Sequence, residues 1–217
     1  MARIDACLLD AYDTILTCDF TAHRSELPAL AGITADAMDK EFIRISPALS
    51  TGQLSMAEGF SEILRACGIE PQPDLVRELV EKDFELLLAS ARLFDDVIPF
   101  LEELRSRGIK TAVVSNCDEK TRDLLARLGV AGYADALVLS CEVGAAKPSA
   151  RIFEHALDQL GVAADAALFV DDNAGYCIGA AGVGLTAVQI IRGKMDGKPR
   201  AAGITAVRSL PEVQAMF

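Results

Sequence analysis

Ile4-Asp5-Ala6-Cys7-Leu8-Leu9-Asp10-Ala11-Tyr12-Asp13-Thr14 opens the chain with a short apolar run that ends on a carboxylate. Such a run reads as a strand buried on both faces, the pattern of a parallel sheet. Three similar runs follow at residues 110–115, 136–140 and 166–171, and residues 185–191 supply a fifth. Between them, residues 97–107, 119–128 and 151–160 have helical periodicity, and each stretch is followed by a glycine (Gly108, Gly129, Gly161) where a helix C-cap favours one. The alternation predicts an α/β fold with a doubly wound parallel sheet.

Residues 16–93 break the alternation. Amphipathic stretches at 35–45, 56–67 and 75–89 predict helices, and no strand is expected in this interval. The chain therefore divides into an α/β core, residues 1–15 and 94–217, and a helical cap inserted at 16–93. Ligands of open parallel sheets bind beyond the carboxyl ends of the strands, so an insertion directly after the first strand lies over that crevice as a lid. Residues 193–203 are loosely composed and read as a surface loop ahead of a last short helix near Pro211.

The carboxyl ends of the strands carry the candidates. Asp10 can attack an electrophile held in the crevice, and Ser115-Asn116 offers a hydroxyl and an amide to substrate oxyanions. Lys147-Pro148 places a cation at the start of a helix, with Pro148 suited to that helix's first turn. Asp171-Asp172-Asn173 sets two carboxylates side by side, which repel unless a cation, hydrogen bonds or water offsets them, and magnesium is the economical choice. Taken singly, each has an ordinary explanation: a turn residue, a helix cap, a solvated lysine. Four such clusters at the ends of four successive strands argue for one site.

The order DAYDT, SN, KP, VDDN, spread over nearly the whole chain, resembles the four motifs of the haloacid-dehalogenase-like hydrolase superfamily with its Rossmann-like core and cap. The resemblance implies that Asp10 is a nucleophile, that Ser115 and Asn116 orient the transferred group, and that Lys147 steadies its charge. It implies that Asp172 binds Mg2+, with Asp171 as a second ligand or just behind it and the backbone carbonyl of Tyr12 completing the protein ligands. The Tyr12 side chain and Asn173 are expected at the substrate pocket. Residues 144–153 and 169–173 look closest to sugar-phosphate phosphatases and the phosphatase domain of soluble epoxide hydrolase. The implied reaction is magnesium-dependent hydrolysis of a small phosphorylated metabolite through an aspartyl-phosphate.

Tyr12 departs from the pattern, because typical phosphatases of the superfamily carry an aspartate there as general acid and base. A phenol with an ordinary pKa of ~10 is a poor base at neutral pH, and losing acid–base assistance removes roughly 10²–10⁴-fold in rate. Good leaving groups, such as those of anomeric sugar phosphates or acyl phosphates, need less help. Tyr12 also resembles the DAYGT motif of the 2-haloacid dehalogenases, a second reading; there the acid pair Asp171-Asp172 puts excess negative charge beside an anionic haloacid. Tyr176 stands where many relatives have an acid or amide, which implies weaker metal affinity. A third reading, an inert binding or regulatory protein, has Asp10, Lys147 and Asp172 against it.

Composition narrows the partners. A net charge of −11 over 217 residues excludes sequence-independent nucleic-acid binding, which needs a basic face. A small anionic substrate is still expected, drawn in by a metal ion and local cations. The cysteines at 7, 18, 67, 117, 141 and 177 form no CxxC pair and read as reduced thiols. No signal peptide follows Met1-Ala2-Arg3 and no apolar run reaches spanning length, so a cytoplasmic protein is expected, off the membrane, with a homodimer compatible with the sequence. His23 and His155 accompany no serine or cysteine nucleophile motif. Gly182 to Ala187 matches a dinucleotide fingerprint but precedes a strand instead of opening a helix. Cys117, Arg24, Lys40 and Arg44 receive no role.

Overall fold

The computed structural model describes residues 3–193 and 199–217. The first half of the chain runs β1 (Ala6–Leu9), β2 (Leu16–Thr17), α1 (Thr21–Ala31), α2 (Ala35–Ser50), α3 (Met56–Ala66), α4 (Pro73–Ser90), β3 (Arg92–Leu93) and α5 (Val97–Ser106). The second half runs β4 (Lys110–Ser115), α6 (Thr121–Arg127), β5 (Ala136–Leu139), α7 (Ser140–Val143), α8 (Ala150–Leu160), β6 (Ala167–Asp171), α9 (Ala174–Val183), β7 (Thr186–Ile190), β8 (Thr205–Val207) and α10 (Leu210–Gln214).

Six strands form one parallel sheet in the order β5-β4-β1-β6-β7-β8. The first strand is thus central, and the chain builds outward from it first on one side and then on the other. Residue alternation along β1 explains the double winding. Cys7 and Leu9 pack with α5, α6 and α10 through Phe100, Leu104, Leu124 and Leu210, while Ala6 and Leu8 pack with α8 and α9 through Ile152, Phe153, Cys177 and Ala180. Leu9 pairs with Val113 on one flank and Val170 on the other, and the Asp10 N–H donates to the Val170 carbonyl at 2.9 Å. The register therefore brings Asp10, Ser115 and Asp171 to one edge, where the strand order reverses and a crevice opens.

The insertion folds as four helices with a core of their own, built on Leu27, Met38, Ile45, Phe60, Ile63 and Leu79. Ser55 and Glu58 close a reciprocal capping box at the start of α3. The expectation of no strand in this interval is corrected: β2 and β3 pair antiparallel, Leu16 with Leu93 and Thr17 with Arg92, as a two-stranded stem under the cap. Two residues per strand are too few to show any periodicity. Helix α1 was not anticipated either; it holds Pro28 and buries only Leu27, Pro28 and Ala31. In the core, the third strand ends at Leu139, one residue early, because Ser140 begins α7. Strand β8 is an unforeseen short edge strand. Residues 194–198 of the expected loop, and Met1-Ala2, lie outside the described residues. The last helix does form, with Pro211 in its first turn. Among the described residues no helix is long and apolar enough to cross a membrane.

One buried arginine ties the roots of the cap to the core. Arg192, just past β7, pairs bidentately with Asp96 at 3.0 and 2.9 Å, donates to the Thr14 carbonyl at 2.7 Å and lies 4.2 Å from the Phe94 ring centroid. Asp96 also accepts the Leu210 N–H at 2.9 Å. The loop after β1, the exit from the cap, the end of β7 and the start of α10 thus share one ion pair. Asp96→Ala leaves the guanidinium buried without its partner and should cost about 3 kcal/mol, read as a lowered urea midpoint. A change below about 0.5 kcal/mol, ordinary for a surface site, would show that the pair does not hold the stem.

Candidate active site

Lys147 lies in the loop before α8, and its side chain has no exposed surface. Its ammonium bridges Asp10 Oδ1 and Asp171 Oδ2 at 2.6 Å each. The solvated-lysine alternative is thereby excluded, and the helix begins at Ala150, so Pro148 precedes its first turn. Burial draws the ammonium toward neutrality, but the two carboxylates outweigh it and hold Lys147 charged beyond the ordinary lysine range. The carboxyl of Asp10 is pushed up to about 7 by burial, with Lys147 opposing and Asp171 and Asp172 adding to the rise. Asp171 is raised by the same burial, again with Lys147 opposing.

The carboxylates of Asp10, Asp171 and Asp172 each offer an oxygen within 4.8 Å of the other two, and all three residues are buried. Three carboxylates gather around one ammonium, and the all-oxygen donor set is the kind that suits a hard divalent cation. The residues therefore fit magnesium. Asp171 already receives Lys147 on one oxygen and the Asn173 N–H, at 2.7 Å, on the other. It is better placed to orient the site than to ligate, so Asp10 and Asp172 are the stronger ligand candidates.

Each remaining candidate has a definite place. The Ser115 hydroxyl is buried and has no hydrogen-bond partner among the described residues. An unpaired buried hydroxyl costs about 1–3 kcal/mol, and here it leaves a donor unused at the strand end. The Asn116 amide instead clamps Lys147, donating to its carbonyl at 2.9 Å and accepting its N–H at 2.7 Å. Asn173 caps α9, its Oδ1 accepting from the Gly175 and Tyr176 N–H groups at 2.8 and 3.3 Å. Tyr12 lies in a tight turn in which Asp13 takes φ 60° and donates its N–H to the Leu16 carbonyl. The Tyr12 hydroxyl is 3.0 Å from Thr121 Oγ1, and burial pushes its pKa far above the ordinary phenol range, so it stays protonated. Tyr176 presents its ring to Lys147, 5.1 Å from the ammonium, with the Phe169 ring at 5.4 Å. That contact gives the unusual tyrosine a place beside the lysine.

Two contributors escaped the sequence reading. Thr121 holds the Tyr12 hydroxyl. Gly179 lets α9 approach the Lys147-Pro148 loop, since a Cβ there would lie 2.7 Å from Pro148 Cβ and 2.8 Å from its carbonyl oxygen. The glycines at 175, 179 and 182 on one helix were the available signal for a close approach.

Over residues 4–184 the chain matches the family described as haloacid dehalogenase-like hydrolase. It is 32% identical over 206 residues to the glyceraldehyde 3-phosphate phosphatase of Methanopyrus kandleri, covering 91% of this chain and 88% of that one. The crystal structure of an HAD phosphatase from Thermococcus onnurineus aligns with a TM-score of 0.70 at 25% identity, over 98% of this chain and 97% of that one. A 2-haloacid dehalogenase from Pseudomonas syringae pv. Tomato DC3000 aligns with a TM-score of 0.72 at 22% identity, over 98% and 99%. The last likeness is one of fold.

Two glycines of α9 make opposite predictions. Gly182 has no atom within 4 Å of an added Cβ, so Gly182→Ala should stabilise by up to about 1 kcal/mol through helix propensity. Gly179→Ala should destabilise, because its methyl collides with Pro148 backbone. Paired thermal melts check the sign, and equal stabilisation by both would mean that α9 does not press on the lysine loop.

Proposed function

This chain belongs to the haloacid dehalogenase-like hydrolases, and we propose that it hydrolyses phosphate monoesters of small metabolites through a phosphorylated Asp10. The observation that carries the reading is the buried cluster of Asp10, Asp171, Asp172 and Lys147 at the sheet edge. Such a cluster suits a dianionic group accompanied by a divalent cation and would repel an anion arriving without one. The 32% identical relative named as a phosphatase supports the same class of reaction.

An oxygen of Asp10 attacks phosphorus in line with the ester bond. That bond breaks, and its electron pair leaves with the alcohol oxygen, which takes a proton from water. Water then attacks the same phosphorus, releasing inorganic phosphate and restoring the Asp10 carboxylate. Lys147 holds Asp10 in position and offsets charge gathering on the phosphoryl oxygens, while the Ser115 hydroxyl donates to one of them. Asn116 acts through Lys147, whose backbone it clamps. Magnesium, held by Asp10, Asp172 and the Tyr12 carbonyl with Asp171 behind them, would supply the charge neutralisation that lets a phosphate enter among carboxylates.

The buried, neutral Tyr12 phenol cannot serve as a base. Leaving groups that depart without protonation, as in acyl and anomeric phosphates, are therefore preferred over simple alkoxides. The dehalogenase reading is favoured by Tyr12 alone and is opposed by the adjacent acids.

Phosphate release from a panel of esters, with magnesium or chelator, tests this. The native protein should turn over only with magnesium, and Asp10→Asn should lose more than about 10³-fold. Halide release from 2-chloropropionate without any phosphate release would overturn the phosphatase reading in favour of dehalogenation.

A further inference from the structure

We propose that the cavity between cap and core receives the leaving group of the substrate and selects a neutral, largely apolar one, of which a phenol is the type. The inference rests on the phosphatase reading and adds the substrate class to it.

The cavity, of about 620 Å³, adjoins the site through two residues of its core side: Tyr12, two residues beyond the nucleophile, and Asn116, which clamps Lys147. A volume of this size lies within the ~300–1,000 Å³ of ordinary ligand pockets, enough for a ring. The cap side is built mostly from Phe20, Phe42, Ile43 and Leu49, with Leu87 from α4, together with two serines, Ser46 and Ser50. Among the described residues the large hydrophobics exposed to water are Phe20, Ile43 and Ile178, at 53%, 76% and 53%, and the first two line this cavity. Exposed apolar side chains gathered around a concave surface beside a nucleophile mark a binding site. The cap's own core is complete without them, since Ile45, Phe60 and Ile63 fill it.

The charges in the cavity exclude a second anionic group. Its ammonium, that of Lys120, is committed to the Asp83 carboxylate on α4 and lies 3.4 Å from Asp118 Oδ2. His23 donates Nε2–H to the Asp83 carbonyl at 3.2 Å, and burial lowers its pKa, which keeps the imidazole neutral. Among the described residues Asp83 and Asp118 outnumber the one ammonium. A carboxylate or second phosphate on the leaving group would enter an apolar, slightly negative chamber in which the described residues offer no uncommitted cation. The phosphoryl group itself is served by Lys147 and Ser115, neither of which lines the cavity.

Two independent observations then agree on one class. The cavity asks for a neutral apolar body, and Tyr12, a phenol held 3.0 Å from Thr121 Oγ1 where the family pattern has a carboxylate, asks for a leaving group that departs unaided. A phenol meets both demands, whereas an anomeric sugar hydroxyl meets only the second, being polar.

The test compares magnesium-supported phosphate release from phenyl phosphate, 4-carboxyphenyl phosphate, glucose 1-phosphate and acetyl phosphate. The first two leave with similar ease and differ in the added charge. Phenyl phosphate should exceed both 4-carboxyphenyl phosphate and glucose 1-phosphate in kcat/KM by at least about tenfold. Ile43→Arg places a cation at an exposed position of the lining, where folding is not at stake, and should narrow the preference for phenyl over 4-carboxyphenyl phosphate by a similar factor. Equal or better turnover of 4-carboxyphenyl phosphate or glucose 1-phosphate overturns the inference and leaves the phosphatase reading standing. A ratio unmoved by Ile43→Arg overturns the assignment of the cavity. Phosphate release from none of the four, acetyl phosphate included, overturns the phosphatase reading itself.

Discussion

A single ammonium, that of Lys147, buried between Asp10 and Asp171, is the contact around which the rest of the core is arranged. A buried lysine is tolerable only when its charge is answered, and its partners become costly once it is gone. The fold supplies the answer through register: β1 lies between β4 and β6, so the residue after Leu9 and the last residue of β6 meet at one edge. The lysine arrives from a different segment and is fixed at three points. Asn116 holds its backbone, Tyr176 and Phe169 face its head group, and Gly179 gives its loop room against α9.

The same electrostatics bear on the charge state of the carboxylates. The lysine answers part of the charge of the three carboxylates, and burial pushes Asp10 and Asp171 toward their protonated forms. A protonated carboxylic acid is a poor nucleophile, so in the proposed reaction whatever restores the charge balance would also arm Asp10. Ser115 carries a complementary deficit, a buried hydroxyl waiting for an acceptor. Both features suit the proposed reaction, which brings a cation and an oxyanion to the site together.

Much of this was legible in the sequence, for identifiable reasons. Strands buried on both faces leave unbroken apolar runs, and the polar residues ending them stand out against that background. The cap was legible as a change of period. What escaped was local or short: the two-residue stem strands, the weakly amphipathic α1 and the edge strand β8 leave no pattern to read. Residue types at the site were legible, but their division of labour was not. Asn116 and Asn173 look alike as candidate ligand contacts, and only the fold shows one clamping the lysine and the other capping α9. Tyr12 and Tyr176, which depart from the family pattern, turn out to be held by Thr121 and to face the lysine respectively.

The most direct measurement is the melting temperature of the native protein and of Asp172→Asn across a magnesium titration, with no substrate present. If the carboxylate cluster is short of positive charge, magnesium raises the native melting temperature to a plateau as it binds the folded state, and Asp172→Asn loses most of that rise. A native protein indifferent to magnesium, or a variant stabilised as much as the native chain, would contradict the charge balance on which the whole site rests.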